Sequence, residues 1–253
     1  MINVFNPRWF GGPYPGTEQH QYGTAQDGWL AQYKVVSAEH LVRMPDGLTF
    51  EQASTLPCAA VTAWSALAGP VPVSALDTVL VQGTGGVSLF ALQIAKRLGA
   101  CVIATTSSAA KEVRLLELGA DDVVNYRTTP DWGSRVRELT GGRGVDRVVE
   151  VGGAATFAQS LKAGNENAEL AMIGFLGQGD WNVDFMDAFG GGFATLRKVR
   201  VGSRQDTEDL VRFVAHHRLE PVVDSVHAFE DTVEAWRRLD SGQALGKVVI
   251  SVT

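Results

Sequence analysis

The stretch VLVQGTGGVSLFALQIAKRLGACVIATT, residues 79–106, limits the folds open to this chain more than any other. A short β-branched run ends in three glycines within four positions, an amphipathic segment follows, and a second β-branched run begins at Cys101. Glycine inside a regular element costs about 0.5–1 kcal/mol relative to alanine, so a cluster of them marks a turn. Val87, Phe90, Ala91, Ile94, Ala95 and Leu98 recur at helical spacing after that turn, and Gly99 closes the helix. Strand, turn, helix and strand in this order imply a right-handed crossover within a parallel sheet.

The alternation continues downstream. AAKEVRLLELGA reads as helix, DDVVNY as strand, DWGSRVRELTGG as helix, VDRVVEVGG as strand, ATFAQSLKAG as helix and AELAMIGFLG as strand. The glycine-rich passage FMDAFGGGFATLRKVRVGS leads to a last strand near KVRVGS. Residues 50–215 thus hold about six strands, enough for one α/β, doubly wound parallel sheet of Rossmann type. Residues 1–49 and 216–253 lie outside the rhythm and are expected to pack as a second, incomplete unit. Within them, 1–26 reads as a loop or extended arm, 28–45 as two short strands, and FEDTVEAWRRLDSG and GKVVISV as a helix and a closing strand. DGLTFEQASTLPCAAVTAWSAL, leading into the sheet, reads as helical.

The glycine turn has a chemical use. Gly83 suits a tight strand-to-helix turn, Gly85 lets backbone approach a ligand without a Cβ in the way, and Gly86 opens the helix with Val87 behind it. The first free N–H groups of that helix, with its dipole, suit a pyrophosphate. The third glycine of the dinucleotide fingerprint serves close helix–strand packing. Ser88 stands there instead and is expected to loosen that contact slightly while leaving the anion site intact.

The end of the second strand bears on the choice of nucleotide. NAD sites usually carry an acid there to hold the ribose hydroxyls. Here the run is Thr105, Thr106, Ser107 and Ser108, then Lys111, and hydroxyls with an ammonium suit a 2′-phosphate. The reading is NADP rather than NAD, with Ser107 or Ser108 open to a second use as the cap of the next helix.

Composition narrows the classes further. The chain has 253 residues, with 28 acidic and 22 basic side chains and a net charge of −6, and its basic residues are scattered. A nucleic-acid surface is therefore not expected. Two cysteines, Cys58 and Cys101, are too few for a disulfide framework and fit a reducing compartment. No basic start with an apolar block opens the chain. The most membrane-like stretch, residues 53–69, is interrupted by Pro57 and several hydroxyls. The expectation is a soluble, cytoplasmic protein.

VQGTGGVSLFALQIAKRLGA, LELGADDVVNYR, GVDRVVEVGG, LGKVVISV and DGLTFEQASTLPCAAVTAWSAL resemble the medium-chain dehydrogenase/reductase superfamily, in particular its quinone-oxidoreductase-like and zinc-type alcohol-dehydrogenase-like groups. The resemblance runs from about residue 28 to the end and implies a Rossmann domain between two pieces of a GroES-like catalytic domain. It implies Gly83, Gly85, Gly86 and Val87 at the pyrophosphate, and Ser107, Lys111 and Tyr126 around the adenosine phosphate, beside Thr106. It further implies Thr62 and Ser203 near the nicotinamide, and Gly152, Phe175 and Leu176 where the cofactor crosses the sheet edge.

The activity implied is hydride transfer to or from a small carbonyl, quinone, enone or alcohol, with a homodimer formed through the edge strand. Two departures stand out. Met1 falls inside the GroES-like domain, beyond the first cysteine, the Gly-His-Glu motif and the structural-zinc lobe of zinc-dependent members, and KAGNENAELAMIG replaces a Pro-Gly-Gly-like turn. The first leaves open a shortened homologue that holds NADP(H) as a non-catalytic sensor or assembly module, or a longer native enzyme.

Cys58 aligns with a catalytic-zinc ligand of zinc-dependent relatives. Such a zinc needs three protein ligands. No second cysteine lies near in sequence, no HExxH is present, and His20 and His40 enter only by elimination, so Cys58 reads as a small buried residue and zinc is not expected. The adjacent His216 and His217 are expected to point to different faces of their helix, and His227 to be structural. No proton donor is assigned; Tyr14, Tyr22 and His20 are candidates from the N-terminal loop.

Overall fold

The structure is a computed structural model that describes residues 1–174, 177, 179 and 193–252. Contacts divide the chain into two units, Ala66–Val199 and Met1–Ser65 with Arg200–Thr253. Residues 50–65 and 200–215, expected with the sheet, therefore group with the chain ends.

The unit Ala66–Val199 is built on six parallel strands: β3 (Thr78–Gln82), β4 (Cys101–Thr106), β5 (Asp122–Asn125), β6 (Val145–Glu150), β7 (Gly164–Met172) and β8 (Phe193–Lys198), in the order β5-β4-β3-β6-β7-β8. All five residues of β3 are buried, as a central parallel strand requires. Helices α3 (Gly86–Arg97), α4 (Ala109–Glu117), α5 (Trp132–Leu139) and α6 (Phe157–Ala163) connect successive strands. Leu80, Ile103, Val124, Val148 and Leu170 of the sheet form one core with Trp132, Val136 and Leu161 of α5 and α6. Strand alternation turns Val79 and Val81 to the opposite face, on which α3 packs. The strand order reverses between β3 and β6, and in such sheets ligands bind beyond the carboxyl ends of the strands at that reversal.

Two expectations about this unit change. The strand expected from AELAMIG starts earlier: Gly164 is extended (φ −70°, ψ 154°), and β7 runs from it through Met172, with a register shift opposite Val145 and Arg147. The last strand, expected near KVRVGS, ends at Lys198 and lies at the sheet edge. Below it, Arg147, only 4% exposed, pairs with Glu169 at 3.2 Å, while Arg197 reaches Glu169 at 2.8 Å and the Ala66 carbonyl at 3.1 Å. Burial lowers the Arg147 pKa, and Glu169 opposes that shift.

In the second unit, β1 (Ile2–Asn3) pairs antiparallel with β2 (Leu41–Val42), and β9 (Val223–Ala228) pairs parallel with β10 (Lys247–Ser251). Of the two strands expected over 28–45, only β2 forms. Tyr33 and Val35 project fully into solvent, and among the described residues no strand lies beside this segment to accept its backbone bonds. The helix expected over residues 46–67 is divided into α1 (Phe50–Ser54), a π turn at Leu56–Ala60 and α2 (Val61–Leu67). Pro57 lacks the N–H that a continuous α-helix needs. The N-terminal arm is tied down: the Trp9 and Phe10 carbonyls accept the first N–H groups of α7 (Arg204–His217) at 2.8 and 2.9 Å.

Candidate nucleotide-binding site

The glycine turn forms at the carboxyl end of β3. Gly83 has φ +72°, the left-handed conformation that favours glycine, and its N–H donates to the Thr105 carbonyl of β4 at 2.9 Å. Gly85 differs. It is exposed, its φ of −74° is open to any residue, and a Cβ built on it meets no described atom within 4 Å. Neither the turn's conformation nor the protein's own packing calls for glycine at this position. Gly85 is also the N-cap of α3 and offers no side chain to the helix N–H groups, so those donors are left for a ligand. Gly86 and Val87 form the first turn behind it, both partly accessible.

Ser88 does the opposite of what the missing third glycine suggested. It is 2% exposed, and its hydroxyl donates to the Gln82 carbonyl at 2.6 Å, joining the first turn of α3 to the last residue of β3. The contact is pinned rather than loosened, because a hydroxyl can satisfy a strand-end carbonyl that glycine would leave unpaired.

At the end of β4, Thr105 and Thr106 are buried and Ser107 and Ser108 are partly accessible. Ser108 occupies the N-cap of α4 in extended geometry, but its side chain makes no cap bond. Lys111 lies in the first turn of α4, partly buried. Tyr126 follows β5; its N–H donates to the Thr106 carbonyl at 2.9 Å, which brings its half-exposed ring to the same strand end. Hydroxyls, an ammonium and a phenol therefore collect at the carboxyl ends of β4 and β5. Gly152 lies in the loop after β6, and its N–H donates to Glu150 Oε1 at 2.8 Å. Phe175 and Leu176 lie outside the described residues.

Thr62 and Ser203 belong to the other unit. Thr62 is buried and donates to the Cys58 carbonyl at 2.7 Å. Ser203 is buried in a capping box at the start of α7, accepting from Asp206 N at 3.1 Å and donating to Asp206 Oδ2 at 2.6 Å. Helix capping accounts for both polar ends of its side chain.

Cys58 is solvent-exposed rather than buried. Surrounding protein mass nevertheless raises its thiol pKa, and Lys247 partly offsets this. Among the described residues, no three His, Cys, Asp or Glu side chains are placed to hold a metal ion. The rings of His216 and His217, expected apart, meet edge to face with centroids 4.8 Å apart.

The proton-donor candidates fall in distinct surroundings. The Tyr22 hydroxyl is 2.8 Å from His40 Nδ1, beneath the Lys34 ammonium. Tyr14 packs against Trp9 and under Arg200, and burial together with the Glu18 carboxylate raises its pKa. His20 ends a short 3₁₀ turn. Two residues that sequence reading left without a role, Gln82 and Glu150, bond each other at 2.8 Å at the ends of β3 and β6. Their signal was a polar residue closing each of two buried apolar runs, VLVQ and RVVE.

Strand order, the turn and the hydroxyl-lined end of β4 together define a dinucleotide-binding Rossmann unit. A profile of the zinc-binding dehydrogenase family matches residues 86–216. A zinc-type alcohol dehydrogenase-like protein of Schizosaccharomyces pombe is 37% identical over all of this chain and 74% of its own length. The crystal structure of an NAD-dependent alcohol dehydrogenase is 36% identical with a TM-score of 0.86, covering 92% of this chain and 68% of that one. A mycobacterial protein solved with NADPH is 30% identical with a TM-score of 0.76, covering 85% of this chain and 69% of that one. The chain belongs to the zinc-binding dehydrogenase family of the medium-chain dehydrogenase/reductase superfamily, and by that membership it is an oxidoreductase that uses a nicotinamide nucleotide. Among the described residues, no helix is long and apolar enough to cross a membrane.

Proposed function

We propose that the protein is an NADP(H)-dependent oxidoreductase acting on a small carbonyl, quinone, enone or alcohol. The observation that carries the nucleotide reading is Gly85, a glycine whose own backbone and packing would accept alanine. The space where a Cβ would stand is open, and no side chain caps the first N–H groups of α3, which together suit the close approach of a diphosphate. The relatives' own descriptions divide between NAD and NADPH. The choice of NADP therefore rests on the end of β4, where the hydroxyls of Thr106, Ser107 and Ser108 stand with Lys111 and no carboxylate lies between Thr105 and Lys111.

When bound, the nucleotide supplies or takes the hydride. The chain's residues bind and orient it: α3 through backbone N–H groups, Lys111 and the hydroxyls through the adenosine phosphate. Positioning of this kind removes much of the entropy cost of the reaction. We further propose a homodimer through β8, which stands at the edge of the sheet among the described strands, since edge strands of two copies can pair across a two-fold axis.

Calorimetric titration with NADPH and NADH, followed by nucleotide oxidation assays against quinones, enones and aldehydes, tests the proposal. Tighter binding of NADPH with turnover supports it. Binding without turnover on any of the three substrate classes supports the non-catalytic module instead, and binding of neither nucleotide ends both. Light scattering at the mass of one chain would remove the dimer.

A further inference from the structure

The carboxyl group of Glu150 is fully buried at the end of β6, and its described partners include no cation. Five groups donate to it. Oε1 accepts from Gly152 N at 2.8 Å, Gly153 N at 2.9 Å and Thr156 Oγ1 at 2.5 Å. Oε2 accepts from Gln82 Nε2 at 2.8 Å and from the Ser160 hydroxyl, which also accepts from Gln82 at 2.6 Å. The other end of the Gln82 amide accepts from Val151 N at 3.2 Å and Gly152 N at 3.3 Å. Gln82 is the residue immediately before the glycine turn.

One side-chain network therefore spans the ends of β3 and β6, the two strands on either side of the point where the sheet order reverses. The main chain extends it: the Glu150 carbonyl accepts from Ile173 N at 2.9 Å and Gly174 N at 3.1 Å, and the Gly152 carbonyl from Gly177 N at 2.9 Å. The start of the segment after β7 is thus held by the main chain of Glu150 and Gly152, and the Glu150 side chain in turn fixes the N–H of Gly152. A Cβ on Gly174 would stand 1.7 Å from the Val151 carbonyl oxygen, which shows how closely the two backbones approach. If the adenosine half of the nucleotide lies toward β4 and β5 and the diphosphate at β3, the nicotinamide half lies over β6 and β7.

We propose that Glu150 is a positioning residue: it sets the loop after β6 against the glycine turn and thereby holds the nicotinamide half of the nucleotide. The inference rests on the nucleotide-binding reading above. Glu150→Gln is nearly isosteric but puts an NH₂ group either against the N–H groups of Gly152 and Gly153 or against the Gln82 amide, so a donor faces a donor in both orientations.

The test compares the affinity of the folded chain for NADPH with that for adenosine 2′,5′-bisphosphate, which carries only the adenosine half. If the unaltered chain prefers NADH, the pair is NADH and AMP. Glu150→Gln is expected to weaken the dinucleotide at least ten-fold and the fragment less than two-fold. A general loss of structure would weaken both alike, and that result, or no change in either, overturns the inference while leaving the nucleotide reading intact. An unaltered chain that binds neither dinucleotide overturns the reading itself and the inference with it. Should Glu150→Gln fail to fold, Ser160→Ala, which keeps Glu150 and four of its donors, is read by the same ratio. It is expected to weaken the dinucleotide selectively by at least three-fold, and equal change or none in the two affinities again overturns the inference.

Discussion

The hydroxyl of Ser88 lies 2.6 Å from the carbonyl oxygen of Gln82, and this one bond ties α3 to β3 at the position where the usual fingerprint has a glycine for close helix–strand packing. Ser88→Ala leaves that buried acceptor one partner short and is expected to cost about 1–2 kcal/mol of stability. Ser88→Gly is expected to cost about 1 kcal/mol more, through glycine's poor helix propensity. Urea unfolding of the two variants checks the order; equal stability of all three proteins would show that the bond contributes nothing.

Gly83 and Gly85 should separate stability from binding. Gly83→Ala forces a Cβ into left-handed backbone at φ +72° and is expected to lose about 1–2 kcal/mol of stability. Gly85→Ala, at φ −74° and with open space around it, is expected to cost no more than about 1 kcal/mol, the difference between glycine and alanine at an N-cap. Its NADPH affinity should nevertheless fall at least ten-fold, or about 1.4 kcal/mol, because the new methyl occupies the ligand's space. Unchanged affinity in a calorimetric titration would mean that nothing approaches this turn.

Lys111→Ala is expected to weaken NADPH by about 1–3 kcal/mol, the range for a hydrogen bond to a charged group, and to leave NADH nearly unchanged. Titrations with the two nucleotides side by side decide this. Equal losses for both would remove Lys111 from the 2′-phosphate.

The second unit carries a pH-dependent contact of its own. Arg238 grips Asp224 with two bonds of 2.7 Å, and Leu245 N adds a third at 2.9 Å. Chiefly through Arg238, the Asp224 carboxyl is lowered from its ordinary 3.8 to about 2. With the folded value below the unfolded one, the contribution is fully present above about pH 4 and is lost as pH falls toward 2. Allowing for the partial exposure of Arg238, it is worth about 1–2 kcal/mol. Asp224→Asn should therefore be less stable than the parent at pH 7, with the gap narrowing toward pH 2.5. A gap that stays constant in denaturant titrations at both pH values would show that ionisation of Asp224 is not its source.

Much of this molecule was written locally. The run from Val79 to Thr106 announces its strand, turn, helix and strand because each depends on side-chain period and on glycines only a few residues apart. The same holds for the hydroxyls and lysine after β4, since the residues that meet there are nearly consecutive. Other features depended on partners far along the chain. Tyr33 and Val35 alternate as a strand should, yet no strand forms, because pairing is a property of two segments and not of one. Ser203 caps its own helix through Asp206, a use that its place in the sequence did not announce. Pro57 was visible, but whether the chain around it would stop, kink or widen into a π turn depended on the packing of the whole segment.

What the chain alone determined is the alternation of strand and helix and the place of the glycine turn ahead of α3, since both follow from hydrophobic period and from the conformational freedom of glycine. What only the tertiary structure decided is how the ends of the strands are tied together. Gln82 and Glu150 are 68 residues apart and become partners only because β3 and β6 lie side by side in the sheet. A buried carboxyl group at a strand end is costly until its donors reach it; Gly152, Gly153, Thr156 and Ser160 follow Glu150 closely in the chain, but Gln82 arrives only through the pairing of the two strands.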